Sequence, residues 1–296
     1  MRVLVSGSNG FIGSYICKRL YKENHVIGCG TSNYSKTKEV DEYVQWKIGV
    51  EPVPKVINDI SIDAIVHAAA SKNADDESRE LMYTNCIGSH QIFVLAKNKC
   101  VKRVVYLSSI PIIGRPVNKK IAEDAVIAPL TMYHATKASG EYILNQLEKY
   151  SISEVNLRIP SPIGPGLKVR NIVNIFLINA MEGKDIVING AGTRKQNYID
   201  VRDVAEAIYR ILTKDKISGT YNIGSQRTIS NIELAKLCIE ITGQKSNIVF
   251  SGNEDFADNQ IWDIDIAKLE RDAGFLPKYN IKQTLMDMKM YFEEEL

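Results

Sequence analysis

The sequence lacks the features typical of membrane, disulfide-rich and metal-binding proteins. Its five cysteines and four histidines show neither C-x-x-C pairs nor the spacing of zinc ligands. An odd, unpatterned cysteine set is typical of reduced thiols, so we expect a cytoplasmic protein without a metal site. No apolar run approaches the roughly 18 residues of a membrane span. The N-terminal segment passes directly into a glycine-rich turn, so we expect no secretory signal and no membrane partner.

Net charge is also nearly absent. The chain has 37 basic and 35 acidic residues, a formal net charge of +2, which gives no reason to expect nucleic acid as a partner. The hydrophobic share of 45% and the charged share of 24% are ordinary for a globular protein. With 296 residues the chain can bury one large core or two smaller ones.

The first half does contain short β-type runs that alternate with amphipathic helical stretches. This alternation predicts an α/β fold with a doubly wound parallel sheet, covered by helices on both faces. The predicted strands are Arg2–Ser6, His25–Cys29, Val44–Ile48, Ala64–Ala68, Arg103–Ser108 and Val155–Ile159. The predicted helices are Phe11–Lys22, Leu81–Lys99 and Tyr133–Tyr150.

The second half begins at a cluster of prolines and glycines between Pro160 and Gly166, which predicts a loop leaving the sheet. Later patterns predict helices at Asn171–Glu182, Val204–Leu212 and Asn231–Thr242, a short strand within Thr220–Gly224, and a helix N-cap at Asp203. We therefore expect a sheet domain at residues 1–159, to which 197–215 return. A smaller α/β lobe, residues 160–196 and 216–296, is expected over the carboxyl edge of the sheet.

Three glycines, Gly7, Gly10 and Gly13, follow the first predicted strand with the spacing G-x-x-G-x-x-G. Gly7 permits a tight turn, Gly10 lets the backbone approach a pyrophosphate, and Gly13 lets the helix pack close to the sheet. A glycine triplet alone would also suit a plain tight turn, but its position between a strand and a helix favours dinucleotide binding at the helix N-terminus. The sheet domain is thus predicted to be a Rossmann-type dinucleotide-binding domain. Its first cofactor contacts are Gly7, Asn9, Gly10, Phe11, Ile12 and Gly13.

Tyr133 and Lys137 lie four residues apart on a predicted helix and therefore share one face. A neighbouring ammonium favours a phenolate, which would bring the tyrosine pKa from about 10 toward working range. The hydroxyl of Ser109, at the end of another predicted strand, can hold a substrate oxygen near that phenol. Chance Y-x-x-x-K pairs are common on helices, so this pair gains its meaning from the glycine loop and Ser109.

Together these motifs resemble the extended short-chain dehydrogenase/reductase family, in its epimerase/dehydratase branch that acts on nucleotide-activated sugars. Further matching segments are His67–Ala70, Asn85 with Gly88, Tyr106–Ser109 ending at Gly114, Leu157–Arg158, Gly164–Gly166, Asn197–Val201, Asp203–Ala205 and Tyr221–Gly224. The resemblance implies that Ser109, Tyr133 and Lys137 are the catalytic triad and that Lys137 also holds the nicotinamide ribose. It further implies cofactor contacts at Ala68, Ala69, Ala70, Asn85 and Pro160, and substrate contacts at Ser109, Ser161, Asn171 and Gln196.

The cofactor is expected to be NADP in preference to NAD. Relatives that use NAD end the second strand with an acidic residue, whereas this chain has Gly30, followed by Thr31, Ser32 and Asn33. Without the carboxylate, hydroxyl groups and the nearby Lys36 can accept a 2′-phosphate. An NAD site that dispenses with the acid is the alternative.

The residues after Ser109 bear on the type of reaction. The 4,6-dehydratases of the family have an Asp-Glu pair where this chain has Ile110 and Pro111, which cannot transfer protons. We therefore expect oxidoreduction at one carbon, foremost the reduction of a nucleotide-linked keto-sugar with Tyr133 as proton donor. The alternatives are an epimerase with tightly bound NAD, a reductase of a non-nucleotide carbonyl compound, and a non-catalytic cofactor-sensing protein.

The substrate end departs from the family, because Gln196 stands where an arginine commonly binds the nucleotide phosphates. Arg194 and Lys195 lie just upstream of it. Lys168 and Arg170 can supply the charge instead, although solvated loop cations would look the same. A homodimer is expected through the helices Leu81–Lys99 and Tyr133–Tyr150, which carry more apolar positions than one buried stripe requires. His67 is predicted to be structural.

Overall fold

The computed structural model describes residues 1–72, 78–116 and 120–295. Its strands, in chain order, are β1 (Arg2–Ser6), β2 (His25–Gly30), β3 (Glu42–Gln45), β4 (Ala64–His67), β5 (Arg103–Ser109), β6 (Ser153–Ile159), β7 (Ser161–Ile163), β8 (Ile186–Ile188), β9 (Lys195–Gln196), β10 (Tyr198–Asp200), β11 (Gly219–Asn222), β12 (Ile229–Ser230) and β13 (Ile248–Phe250).

The helices, in chain order, are α1 (Phe11–Leu20), α2 (Lys55–Asp59), α3 (Arg79–Leu81), α4 (Gly88–Lys99), α5 (Met132–Leu144), α6 (Ile172–Met181), α7 (Val201–Thr213), α8 (Asn231–Thr242), α9 (Ala267–Ala273) and α10 (Ile281–Glu295). Within the described ranges, no helix is both long and apolar enough to cross a membrane.

The main sheet has seven parallel strands in the order β11-β6-β5-β4-β1-β2-β3. This confirms the predicted doubly wound α/β fold. The strand order reverses at β1, which has β2 on one side and β4 on the other. In such sheets the carboxyl ends of the two strands beside the reversal flank the ligand crevice.

A hydrophobic core covers each face of the sheet. On one face, Ile16 and Leu20 of α1 pack with Val204 and Ile208 of α7. On the other, the apolar side of α4 packs with Leu144 at the end of α5. Because both faces are covered, the central strands β1, β4, β5 and β6 consist of nearly continuous buried residues, and all four residues of β4 are buried.

The second half adds three short strand pairs, β7 with β10, β8 with β13 and β9 with β12, beside α6, α8 and α10. These elements enclose a separate hydrophobic core that includes Phe176, Leu234 and Met288.

One part of the predicted division into two domains needs correction. The strand Gly219–Asn222, assigned to the lobe, pairs with β6 as the edge strand of the main sheet, and its Tyr221 side chain is buried there. The remainder of that division stays a prediction.

Several element boundaries also differ from the sequence predictions. The predicted N-cap at Asp203 is wrong, because α7 begins earlier and Asp200 caps it by accepting a hydrogen bond from the Arg202 backbone N–H at 2.8 Å. Asp203 instead accepts backbone hydrogen bonds from Lys278 and Tyr279. The third strand lies at Glu42–Gln45, ahead of the predicted Val44–Ile48.

The two long predicted helices are not α-helical throughout. A π-helical turn, Met82–Ile87, separates α3 from α4, and a 3₁₀ segment, Asn145–Tyr150, continues α5. The hydrophobic periodicity of both stretches is helical, but it does not distinguish these three types of hydrogen bonding.

Candidate active site

The glycine loop between β1 and α1 leaves no room for side chains. Gly7 has φ of +71°, and a Cβ atom there would lie 2.8 Å from the Ala69 Cα atom. A Cβ atom on Gly13 would lie 2.1 Å from the Gly7 carbonyl oxygen. The start of α1 is thus pressed against the turn, and its first turn carries only uncharged residues. The free N–H groups at this helix end form an electropositive cradle for an anion.

Ser109, Tyr133 and Lys137 converge on the same cavity as this loop. Ser109 ends β5, while Tyr133 and Lys137 occupy successive turns of α5. Thr131 caps α5 by accepting a hydrogen bond from the His134 N–H at 3.2 Å, which fixes where the helix begins.

We call this space of about 770 Å³ the triad cavity. Its lining comprises Gly7, Gly10, Phe11, Ile12, Gly13, Ala68, Ala70, Lys72, Leu107, Ser108, Ser109, Pro111, Thr131, Tyr133, His134, Lys137, Ile159, Pro160, Ser161, Pro162, Leu167, Val169 and Asn171.

The charged and titratable groups of the triad cavity are basic or phenolic. Burial and the charge of Lys72 lower the pKa of Lys137 to about 7. Burial raises the pKa of Tyr133 to about 12, opposite to the direction that the sequence predicts from its lysine neighbour. The reason is that desolvation disfavours both charged forms, the ammonium as well as the phenolate. Among the described residues, the lining contains no acidic side chain.

Some predicted cofactor residues support the cavity wall without lining it. The Asn85 amide bonds to the backbone of Ser71 and donates to Thr136 Oγ1 at 2.9 Å, which ties the loop after β4 to α5. Ala69 packs against Gly7. Asn85 and Ala69 therefore support the wall of the triad cavity from behind and do not line it.

Thr31, Ser32 and Asn33 follow β2 in a loop outside the lining of the triad cavity. Asn9 ties this loop to the glycine turn, because its amide donates to the Tyr34 carbonyl oxygen at 2.9 Å and accepts from the Lys36 N–H at 2.8 Å. The Tyr43 hydroxyl donates to the Ser32 carbonyl oxygen at 3.0 Å. It also lies only 3.2 Å from where a Cβ atom on Gly30 would be, so a side chain at the end of β2 would contact it closely.

The predicted substrate residues fall in two cavities that share Asn171. Ser109 and Ser161 line the triad cavity, whereas Gln196 lines a neighbouring cavity of about 740 Å³. We call the latter the arginine cavity because Arg115, Arg170 and Arg194 line it. Asn171 also caps α6 through its side-chain oxygen. Lys168, named with these cations from the sequence, lies outside both linings.

Sequence reasoning missed three basic residues of the two linings. Lys72 lies just beyond the alanine run that follows β4, and His134 directly follows Tyr133; both line the triad cavity. Arg115 follows Gly114 and lines the arginine cavity. Each of the three is adjacent to a recognised motif, which is the signal that could have found them.

The chain is similar to known enzymes that act on nucleotide sugars. The dTDP-D-glucose 4,6-dehydratase of Dictyostelium discoideum is 25% identical over an alignment 269 residues long, which covers 81% of this chain but only 62% of that enzyme. The solved UDP-glucose 4-epimerase of Thermotoga maritima is 25% identical, with a TM-score of 0.87 over 100% of this chain and 99% of that one. The UDP-glucuronic acid 4-epimerase of Bacillus cereus, at 22% identity and a TM-score of 0.87 over 100% of both chains, shows the likeness of fold alone.

The family model of the NAD dependent epimerase/dehydratase family matches residues 3–224. That range contains the glycine loop, all three triad residues and every strand of the main sheet except the first residue of β1. The chain therefore belongs to the NAD dependent epimerase/dehydratase family.

Proposed function

We propose that the protein is an NAD(P)-dependent oxidoreductase that acts at one carbon of a nucleotide-activated sugar, foremost as a reductase of a keto-sugar. One observation carries this proposal: Ser109, Tyr133 and Lys137 line the same cavity as the glycine loop, and that cavity adjoins one lined by three arginines. A redox site and a phosphate-binding site within reach of one ligand suit a nucleotide-linked substrate.

The residues of the triad cavity fit a nicotinamide dinucleotide. The contacts at Gly7 and Gly13 keep side chains out of the cradle, and the N–H groups at the α1 N-terminus would hold the pyrophosphate. Ser108 Oγ is buried without a hydrogen-bond partner among the described residues, so it is available to a ligand in this cavity. When bound, the cofactor supplies or accepts the hydride.

Tyr133 and Ser109 are proposed to contact the oxygen on the reacting carbon. In reduction, the Tyr133 hydroxyl donates its proton to that oxygen while Ser109 Oγ donates a hydrogen bond to it. The Lys137 ammonium, one helical turn away, stabilises the phenolate that remains. Because burial raises the pKa of Tyr133 to about 12, the phenol keeps its proton at neutral pH, as a reductase requires.

Dehydration is not part of the proposal, although dehydratases are among the relatives. Ile110 is fully buried, and Pro111, the other residue at the dehydratase acid–base positions, has no proton to transfer. The side chain of Pro111 lines the triad cavity, so an apolar surface stands where elimination of water would need an acid or a base.

NADP is the proposed cofactor, and NAD is the alternative. The support for NADP is the missing carboxylate at Gly30 and the fixed loop that presents Thr31–Asn33 near Lys36. The support for NAD is that the structure of the Bacillus cereus relative contains NAD.

The arginine cavity is proposed to hold the diphosphate of the substrate. Arg115, Arg170 and Arg194 replace the arginine that is missing at Gln196, and guanidinium groups bind phosphate in bidentate fashion. Glu254 and Asp255 line the same cavity and limit its positive charge. A carbonyl substrate without a nucleotide would leave this cavity unused.

A 4-epimerase is the second candidate, because two of the solved relatives that span this whole chain are nucleotide-sugar 4-epimerases. Turnover of nucleotide sugars under controlled cofactor supply separates the two. A reductase consumes one NADPH per product, whereas an epimerase interconverts two sugars without net consumption and retains oxidised cofactor through purification. Cofactor binding without turnover of any nucleotide or simple carbonyl substrate would support a sensing protein instead.

A homodimer remains part of the proposal, on revised grounds. Of the apolar residues expected to form a second face, Ile92, Leu95, Leu144 and Leu147 are buried within the monomer. The exposed apolar side chains on the same two stretches are Met82, Tyr83, Ile87, Tyr142 and Tyr150. Light scattering at micromolar concentration tests the proposed homodimer, because a single species of 33.2 kDa would be a monomer and would contradict it.

A further inference from the structure

A buried aromatic stack lies beneath Lys137 and is not used in the mechanism above. Lys137 Nζ lies 4.1 Å from the centroid of the Tyr106 ring. That ring stacks on His67 with centroids 5.5 Å apart and an interplanar angle of 29°. The imidazole is held by Ser6 Oγ at 2.8 Å and by Ser89 Oγ at 3.3 Å. The stack therefore runs from the end of β1, through β4 and β5, to α5.

The sequence makes room for this arrangement at Gly140. A Cβ atom there would lie 2.2 Å from the Tyr106 hydroxyl oxygen, so only glycine lets the ring lie under α5. The same hydroxyl donates to the Lys137 carbonyl oxygen at 3.4 Å. The face of the Tyr106 ring thus contacts the Lys137 ammonium, and the Tyr106 hydroxyl contacts the Lys137 backbone.

We infer that Tyr106 is a positioning residue, whose ring face holds the Lys137 ammonium beside Tyr133 and whose hydroxyl fixes that turn of α5. The inference rests on the proposed role of Lys137 in proton transfer. An aromatic face attracts a cation, and the attraction grows when water is excluded. Lys137 is only 3% exposed and Tyr106 only 1%, so this interaction is well shielded from water.

The other groups around Lys137 do not supply this stabilisation. Lys72 repels the ammonium, and burial keeps His67 neutral by lowering its pKa to about 3. Glu141 attracts it, but both Glu141 carboxylate oxygens accept hydrogen bonds from Arg158, at 3.0 and 2.9 Å. The phenol of Tyr133, one turn away on α5, is uncharged at neutral pH because burial raises its pKa to about 12. In the described part of the chain no carboxylate forms an ion pair with Lys137, which leaves the Tyr106 ring in direct contact.

The experiment measures the titration of Lys137 itself, so it does not require a known substrate. The full chain is labelled with ¹³C at lysine Cε, and the Lys137 signal is assigned with Lys137→Arg. Tyr106→Phe keeps the ring face, whereas phenylalanines of increasing fluorination at position 106 weaken its attraction for a cation at nearly constant shape. We expect a midpoint near 7 in the wild type and in Tyr106→Phe. Pentafluorophenylalanine should lower it by about one pH unit.

Tyr221 provides a matched control, because it is a buried tyrosine with Lys268 Nζ 4.3 Å from its ring centroid. The same series at position 221 should leave the Lys137 midpoint unchanged. A constant Lys137 midpoint across the series at position 106 would overturn the inference and reduce Tyr106 to a core-filling side chain.

The shape of the ring hardly changes in this series, so loss of folding does not obscure the result. Turnover is followed in parallel with Tyr133→Phe. Full activity in that variant would refute the proposed function, whereas the Lys137 titration gives its result for Tyr106 in either case.

Discussion

The two cavities of the site are built by different means. On the cofactor side of the triad cavity, backbone and glycine contacts set the shape, with Gly13 packed against the carbonyl of Gly7. In the arginine cavity, long side chains from separate segments set it, and cations face anions. A site made of backbone tolerates few substitutions, whereas a site made of side chains can change its ligand while the fold stays the same. We therefore expect the glycine loop to be the constrained part of the site and the arginine cavity to determine substrate specificity.

The largest effect is expected on the backbone side, from Gly13→Ala. The added methyl group would lie 2.1 Å from a carbonyl oxygen, so we expect a loss of roughly 1–3 kcal/mol or more in the free energy of unfolding, together with loss of cofactor binding. Gly10→Ala is the matched control, since its Cβ atom would lie 3.1 Å from the same oxygen. Urea unfolding and cofactor titration measure both quantities. Equal stability of the two variants would contradict the close-packing argument.

The next effect concerns Lys137, which is buried at a cost to stability. Its pKa is about 7 in the folded chain against 10.5 ordinarily, so between these values the unfolded chain binds a proton that the folded chain does not. Stability should therefore rise with pH over that window, by up to ~1.4 kcal/mol per pH unit. In Lys137→Met this contribution to the slope should vanish. Unfolding free energies at pH 7, 8 and 9 provide the check, and parallel slopes would contradict it.

A smaller effect is expected in the arginine cavity. Arg194→Ala should raise KM for the nucleotide substrate about tenfold, equivalent to ~1.4 kcal/mol, with little change in cofactor affinity. Lys195→Ala is the control, because Lys195 is the adjacent cation but does not line that cavity. Steady-state kinetics distinguish them. If both variants behaved like the wild type, the diphosphate would have to bind elsewhere.

The smallest and most local effect concerns the choice of cofactor. Gly30→Asp places a carboxylate beside the Tyr43 hydroxyl and should shift preference from NADP toward NAD by about 1–3 kcal/mol, through repulsion of the 2′-phosphate. Gly30→Asn adds nearly the same bulk without charge and should shift it much less. Equilibrium titration with both cofactors measures the shift. A wild type that already prefers NAD would refute this interpretation of Gly30.

The difference between the cavities also explains what the sequence could predict. Gly7, Gly10 and Gly13 could be recognised because their spacing reflects backbone geometry at one turn, and Tyr133 with Lys137 because one helix sets their distance. Arg115, Arg170 and Arg194 come from separate loops, so no local spacing reveals that they line one cavity.

The effects of burial and of contacts distant in sequence could not be predicted from the sequence either. The Lys137–Tyr133 pair predicts a lowered tyrosine pKa, but the opposite direction results from desolvation in the fold. The N-cap of α7 was misplaced by three residues, because Asp200 and Asp203 are both good caps and only the tertiary contacts of Asp203 with Lys278 and Tyr279 decide between them.

The most direct test of the central claim is turnover of a panel of nucleotide-linked keto-sugars by wild type and Tyr133→Phe, each with NADPH and with NADH. The account predicts that the wild type consumes NADPH in step with the reduction of at least one substrate. Tyr133→Phe should bind the cofactor normally but turn over roughly 10²–10⁴ times more slowly. Near-normal turnover by Tyr133→Phe would contradict the account, because the proton would then come from another group.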